Sequence, residues 1–269
     1  MKNKTFCLIL TVSFIIFSCE TLGLNLTGIL SPPTSNSSNT TQRNTETHID
    51  FGQAAGNTDR NAAQDTKNWD IAKLDTAANV DYLTDIEKDV ILEMNKVRTN
   101  PGLYAELYIQ PLIRFYSGRN FSVPGQITIV TQEGVAAVNE CIAALNRASS
   151  AGLLYPERGL SLASRDHVAD QSRTGQLGHT GSDGSTPQTR ARRYGTFGGS
   201  WTIGENITYG SRTGREIVVD LLIDDGVPDR GHRINIMNRA FTQTGAAFGT
   251  HPQYRTSSTI KYADGYISN

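Results

Sequence analysis

Three short polar segments constrain the fold of this chain most, because each places ionisable side chains among glycines and other turn-forming residues. They span residues 178–187, 204–207 and 224–236. Turn-forming residues put such side chains on short loops, where a rigid scaffold can bring them into one cleft. The sequence therefore predicts that polar side chains of these three segments line one cleft.

The N-terminus is typical of an export signal. Lys2 and Lys4 precede an apolar run over residues 6–17, which is too short to span a bilayer and matches a secretory signal peptide. An aliphatic residue, Ile16, lies three positions before Cys19, which resembles a bacterial lipobox. We therefore predict an exported lipoprotein, anchored to a membrane through a lipid on Cys19. The alternative is an ordinary signal peptide with a chance cysteine, which would give a secreted protein.

Charge and cysteine content narrow the class of protein further. The 269 residues carry a formal net charge of −1, so the chain has no general attraction for nucleic acid. Cys7 lies inside the predicted signal and Cys19 at its edge, which leaves Cys141 alone in the body of the chain. One thiol cannot form an internal disulfide, so the exported domain must depend on its core. We expect Cys141 to be a small buried hydrophobic residue.

The chain divides by composition into three parts. Residues 1–19 are the predicted signal peptide, residues 20–80 a predicted disordered polar tether, and residues 81–269 the predicted folded domain. Within the tether, residues 31–47 are almost wholly Ser, Thr, Asn, Gln and Pro. Such a segment has too little apolar surface to offset the entropy lost on ordering.

Helical patterns come first in the folded part and strand patterns come last. Thr84 and Glu87 form a capping box before an apolar helical face, and Asn100-Pro101 ends that helix because a residue before proline avoids the α region. Further helices are predicted over residues 104–116, 135–148, 160–176 and 217–223, an irregular or extended segment over 121–130, and strands over 201–207, 245–249 and 259–262. Helices followed by a sheet predict an α+β fold.

The three polar segments, in this order, resemble those of the SCP-like or CAP superfamily. This superfamily contains cysteine-rich secretory proteins, venom antigens, plant pathogenesis-related proteins and bacterial relatives. Glu93, Asn95 and Arg98, followed by Asn-Pro, resemble the first helix of bacterial members. The resemblance covers residues 82–268, with an atypical insertion between 109 and 157. It implies an α-β-α sandwich with a small antiparallel central sheet.

The resemblance also implies which residues line the cleft. His179 matches the first family histidine, Glu205 the acid of the Gly-Glu-Asn-Ile motif, and His232 the second histidine, in Gly-His-Arg. The second acid is aligned with Asp225, and Asp224 is the alternative. Five arginines lie nearby: Arg190, Arg192, Arg193, Arg230 and Arg233. We expect them to neutralise Asp183, Asp224, Asp225 and Asp229 rather than attract anionic ligands.

Three functions are compatible with these residues. Two histidines beside carboxylates can bind Zn²⁺ or a similar divalent ion. The leading hypothesis is a binding module for a lipid, envelope polymer or protein, with a metal held by His179 and His232. The second is a metal-dependent hydrolase in which Glu205 is the general base or orients water. The third is a surface interaction protein with a vestigial cleft. The sequence contains neither a His-Glu-x-x-His motif nor a Gly-x-Ser-x-Gly elbow.

Overall fold

The computed structural model describes residues 65–126 and 128–269. The predicted signal peptide, Cys19 and residues 20–64 of the predicted tether lie outside the described residues. The helices are α1 Ile71–Leu74, α2 Asp85–Thr99, α3 Pro101–Tyr104, α4 Val135–Arg147, α5 Arg158–Thr174, α6 Pro187–Ala191, α7 Gly214–Ile223 and α8 Gly231–Met237. The strands are β1 Tyr116–Ser117, β2 Asn120–Phe121, β3 Ile129–Val130, β4 Tyr155–Pro156, β5 Gly195–Tyr209, β6 Gln243–His251 and β7 Arg255–Ser268.

The central sheet has four strands in the order β4-β6-β7-β5. The three long strands pair antiparallel, as predicted, whereas the short edge strand β4 pairs parallel with β6. All three long strands extend beyond their predicted bounds. The ends of these strands are rich in glycine, serine and threonine and show no alternation of apolar and polar residues. Hydrogen bonding to the neighbouring strand, rather than the sequence pattern, therefore sets their length.

Helices cover both faces of this sheet, which confirms the predicted α-β-α sandwich. The larger core cluster joins residues of α2, α4 and α7 to Ala246, Ile260 and Tyr262 of the sheet. A smaller cluster joins α5 and α6 to Ala263 and Tyr266. Successive residues of β7 therefore pack against opposite layers, as strand geometry requires. Cys141 belongs to the larger core and is buried, as predicted.

Helix α2 begins and ends where the sequence predicts. The backbone N–H of Thr84 donates to Glu87 Oε2 at 2.8 Å, which completes the capping box. Arg98, near the helix end, is fully buried. Its guanidinium donates to four backbone carbonyls in the loop before β4, in the last turn of α8 and in the loop after it, those of Gly152, Ile236, Asn238 and Phe241. Arg98 is therefore a structural residue that connects α2 to two distant loops.

The predicted helix over residues 104–116 is not continuous. A π-helical turn, Ala105–Ile109, follows α3, and a 3₁₀ turn follows over Gln110–Phe115. Pro111 lacks an N–H group and its ring clashes with the carbonyl four residues earlier, so an α-helix cannot continue through it. The extended segment after it forms a separate small sheet in the order β1-β2-β3.

The packed domain extends N-terminally beyond the boundary predicted at residue 81, to at least Asp65. Trp69 and Leu74 are buried in the larger core cluster. The indole Nε1 of Trp69 donates to the Tyr108 hydroxyl at 2.9 Å, and Lys96 pairs with Asp65 at 3.0 Å. The composition of residues 20–80 is polar on average, but two large apolar side chains are enough to attach this segment. In the described part of the chain, no helix is long and apolar enough to cross a membrane.

We expect Trp69→Ala to destabilise the full chain by about 3–5 kcal/mol, the usual cost of deleting a buried aromatic side chain. Urea unfolding followed by circular dichroism would measure the change. Tyr155→Ala is the matched control, because Tyr155 is 56% exposed and its loss should cost less than about 0.5 kcal/mol. A Trp69→Ala protein as stable as wild type would place this segment outside the domain.

Candidate functional site

Glu205 lies near the end of β5 and is the most heavily contacted acid of the predicted cleft. Lys261 is directly opposite it on β7, and its ammonium group forms an ion pair with Glu205 Oε2. Arg190 Nη2 donates to Oε1 at 3.1 Å and to Oε2 at 3.0 Å. His179 Nδ1 lies 2.9 Å from Oε1. Both oxygens of this buried carboxylate are therefore engaged by side chains of the protein.

These contacts keep Glu205 ionised. Burial by itself would raise the pKa of Glu205, but the Lys261 charge, the hydrogen bond from His179 and the Arg190 charge outweigh burial and hold the pKa well below its usual range. Burial also lowers the pKa of Lys261, to about 8 with Glu205 opposing the shift, so the lysine keeps its proton at pH 7. A carboxylate held in this way is a poor proton acceptor. These contacts place Glu205 to orient His179, and its predicted role as a general base or in orienting water stays a prediction.

His179 lies in a loop between α5 and α6 that is attached to the rest of the domain through its backbone. The Gly178 carbonyl accepts hydrogen bonds from His167 Nε2 at 2.8 Å and from Gln171 Nε2 at 2.9 Å. Gly178 has a φ of 86°, which favours glycine over other residues. Arg190 also donates to the His179 carbonyl at 2.9 Å, so the same arginine fixes the histidine and its acid partner.

His232, at the start of α8, is paired with Asp224. Asp224 Oδ1 lies 2.6 Å from His232 Nδ1, and Oδ2 accepts the His232 backbone N–H at 3.0 Å. Asp224 and Arg230 both have left-handed backbones, with φ of 56° and 54°. Such conformations cost about 1–3 kcal/mol each in residues other than glycine. The turn between α7 and α8 is thus held in a strained shape that presents His232 to its acid.

Asp225, the predicted cleft acid, lies elsewhere. Its two oxygens accept the backbone N–H groups of Gln132 at 2.6 Å and Glu133 at 2.7 Å. The left-handed backbone at Asp224 ends α7 and turns the chain, so neighbouring acids point to different parts of the molecule. Asp224, the alternative in the sequence analysis, is therefore the acid next to a cleft histidine.

Asn206 connects the two histidine–carboxylate pairs. Its side-chain amide donates to the His232 carbonyl at 2.9 Å and accepts from Asn235 Nδ2 at 2.9 Å. Glu205 and Asn206 are successive strand residues, so their side chains leave opposite faces of the sheet. Strand β5 thereby holds the His179–Glu205 pair on the α5 and α6 side and the backbone of His232 on the α8 side.

Four of the five local arginines pair with acids, as expected, but most of their partners differ from those predicted. Arg193 pairs with Asp183 at 2.6 Å, a predicted acid. Arg190 instead pairs with Glu205. Arg230 and Arg233 pair with Glu133 and Glu140, which lie before and within α4. Arg192 lies over the Trp201 ring at 5.8 Å from its centroid.

Lys261 is the site residue that sequence reasoning missed most clearly. It lies within the predicted strand 259–262, between the core residues Ile260 and Tyr262. Because side chains alternate along a strand, Lys261 points to the opposite face from Ile260 and Tyr262, and it is buried because helices also cover that face. Its partner is Glu205, which the sequence could not supply because 56 residues separate the two.

A metal site with carboxylate ligands does not fit these residues as they are arranged. Among residues 65–126 and 128–269, no group of three or more His, Cys, Asp and Glu side chains is placed to hold a metal ion. Glu205 and Asp224 are already bound to arginine, lysine, histidine or backbone donors. His179 and His232 belong to two separate histidine–carboxylate pairs, and a metal held by both of them stays a prediction.

The comparisons with known proteins agree with this architecture. The model of the cysteine-rich secretory protein family, CAP, matches residues 93–262, more than half of the chain. The chain belongs to the CAP family. The matched region begins within α2 and ends within β7, so it includes every candidate site residue described above. A search of curated proteins gave no match.

Two solved structures match parts of the chain at low sequence identity. An outer surface protein from Borrelia burgdorferi is 15% identical, with a TM-score of 0.35, and the match covers 49% of this chain and 90% of that one. An extracellular protein with an SCP domain from Bacillus anthracis str. Ames is 20% identical, with a TM-score of 0.33. That match covers 42% of this chain and 34% of the other, so this chain spans about a third of its length.

We expect Glu205→Leu to destabilise the fold by about 3–5 kcal/mol, because it leaves the buried cations Lys261 and Arg190 without their anion. The double variant Glu205→Leu/Lys261→Met should lose less than the sum of the two single variants, by about 1 kcal/mol or more. Urea unfolding of the four proteins in this cycle would measure the coupling. Additive losses would show that Glu205 and Lys261 do not interact.

Proposed function

We propose that this CAP domain is an exported binding module whose ligand contacts His179 and His232. One observation carries the proposal. The carboxylates of Glu205 and Asp224 are buried, whereas the side chains of the two histidines are 24% and 18% exposed. Each buried acid therefore orients a ring that remains accessible to a ligand. Within the described residues, no hydrogen bond engages Nε2 of either ring.

The strained turn at residues 224–230 supports the same proposal. Asp224 in its left-handed conformation is also the C-cap of α7, and left-handed residues other than glycine carry a cost that functional sites often show. Here the strain places Asp224 beside His232. A rigid cleft of this kind loses little conformational entropy when a ligand binds.

The ligand we propose is a lipid, an envelope polymer or a protein, without a requirement for metal. A divalent ion such as Zn²⁺ would find only the two Nε2 atoms, and an open site of two imidazoles should bind it weakly. A requirement for metal can be tested directly by measuring ligand binding with and without a chelator.

A second candidate function, hydrolysis, is favoured by the His232–Asp224 pair. A carboxylate on Nδ1 of a histidine orients the ring so that Nε2 can accept a proton, which is the arrangement of acid–base catalysis. In this version His232 replaces Glu205 as the general base and would activate water. Turnover of a bound polymer that disappears in His232→Gln would favour hydrolysis over binding.

We expect the variant His179→Ala/His232→Ala to bind its ligand at least about tenfold more weakly than wild type, which corresponds to about 1.4 kcal/mol. Pelleting with insoluble peptidoglycan and with phosphatidylethanolamine–phosphatidylglycerol vesicles, each with and without EDTA, would measure binding. Binding that persists in EDTA excludes a required metal.

The matched control is Tyr155→Ala, which removes an exposed side chain from β4, the edge of the sheet opposite β5. It should bind like wild type. Equal binding by the double histidine variant would favour a surface interaction protein with a vestigial cleft, and would contradict the proposal.

We also propose, from the sequence, that the domain is anchored by a lipid on Cys19. Cys19→Ser should abolish incorporation of a radiolabelled fatty acid and move the protein from the membrane fraction to the soluble fraction after export. Cys141→Ser is the control, because Cys141 is buried and should leave labelling unchanged. Unchanged labelling in Cys19→Ser would support an ordinary signal peptide.

A further inference from the structure

We infer that both cleft histidines are held in the tautomer that carries its proton on Nδ1, so that each neutral ring offers the lone pair of Nε2 to a ligand. The site would then select ligands that donate hydrogen bonds. This selectivity rests on the proposed function, whereas the tautomer itself follows from the contacts within the protein.

The partner of His179 can only accept. Glu205 is ionised and buried between Lys261 and Arg190, so neither oxygen carries a proton. His179 Nδ1 lies 2.9 Å from Oε1, within hydrogen-bonding distance, so the proton of this bond belongs to Nδ1. A neutral imidazole has one N–H group, which leaves a lone pair on Nε2.

Both carboxylate oxygens of Asp224, the partner of His232, are placed to accept a hydrogen bond. Asp224 Oδ2 accepts the His232 backbone N–H, and Oδ1 lies 2.6 Å from Nδ1 of the same residue. The backbone N–H can only donate, which fixes the orientation of the carboxylate. The remaining oxygen then accepts from Nδ1, as a carboxylate does when it orients a histidine.

His167 has the opposite tautomer and serves as an internal reference. Its Nε2 lies 2.8 Å from the Gly178 carbonyl oxygen, which can only accept, so the proton is on Nε2. Burial lowers the pKa of His167 to about 4, so this ring is neutral at pH 7. Its Nδ1 is buried and has no hydrogen-bond partner within the described residues. The chain thus contains both tautomers in rings of known surroundings.

The two cleft rings therefore form acceptor sites while they are neutral. A hydroxyl group, an amide N–H or an ammonium group can donate to Nε2 directly. A fully ionised phosphate or carboxylate has no proton to donate, and its oxygens would be repelled by the lone pair of Nε2. The chemical class that fits is a ligand with hydroxyl, amide or ammonium groups, such as a sugar or peptide portion of an envelope polymer.

Long-range ¹H–¹⁵N NMR of the ¹⁵N-labelled full chain would test this, because it identifies which ring nitrogen carries the proton. At a pH where the three rings are neutral, we expect Nδ1–H signals for His179 and His232 and an Nε2–H signal for His167. An Nε2–H signal for either cleft histidine would overturn the inference for that ring. This measurement requires neither a ligand nor a variant.

Two variants test whether the buried carboxylates determine the tautomers of the two rings. In Glu205→Gln/Lys261→Met, which removes one buried charge of each sign, Arg190 would retain the amide oxygen and the amide N–H would face His179. His179 should therefore change to the Nε2–H tautomer, while His232 does not change. Asp224→Asn should change His232 and leave His179 as it is, because the backbone N–H of His232 retains the amide oxygen.

The failure of the inference and the failure of the proposed function are distinguishable. If the wild-type tautomers are as expected but the double histidine variant binds its ligand normally, the rings are oriented but unused, and only the function is wrong. If a cleft ring of the wild type has an Nε2–H signal, the inference fails whatever the binding result. If a variant keeps the wild-type tautomer while folded, its carboxylate does not determine the ring.

Discussion

The site depends on the ion pairs and hydrogen bonds made by the buried carboxylate of Glu205. This carboxylate joins β5 to β7 through Lys261, to α6 through Arg190, and to the loop of His179 through its ring. An anion and two cations can be buried together only while they remain in contact, since each would be strongly destabilising alone. The cluster of Glu205, Lys261 and Arg190 therefore also holds β5, β7 and α6 together. The stability of the fold in turn maintains the geometry of this cluster.

Strand β5 extends this organisation to the other face of the sheet. Asn206, next to Glu205, holds the backbone of His232, while Asp224 holds its ring. Two histidines from segments far apart in sequence are thus oriented by buried acids and positioned by two neighbouring residues of one strand. Loops on a rigid sheet can vary in ligand preference without loss of the scaffold, which fits a family whose members share a fold rather than one activity.

Local patterns predicted what depends on neighbours in sequence. The capping box at Thr84 and the apolar face of α4 need only residues three or four positions apart, and both are present in the structure. The helix predicted over residues 104–116 is interrupted, because Pro111 cannot continue an α-helix. The packed domain begins before the predicted boundary at 81, because Trp69 and Leu74 are buried by distant residues of the core.

The sequence by itself predicted the CAP family and the α+β layering, which are confirmed, and it singled out His179, Glu205 and His232 because each lies in a short motif flanked by glycine or a turn. Only the tertiary structure decided that Asp224 rather than Asp225 contacts His232, and that Lys261 and Arg190 surround Glu205. Adjacent acids are equivalent in a linear motif, and a left-handed residue between a helix and a turn separates them in space. Charge pairs formed across a sheet depend on strand register, which sequence spacing does not specify.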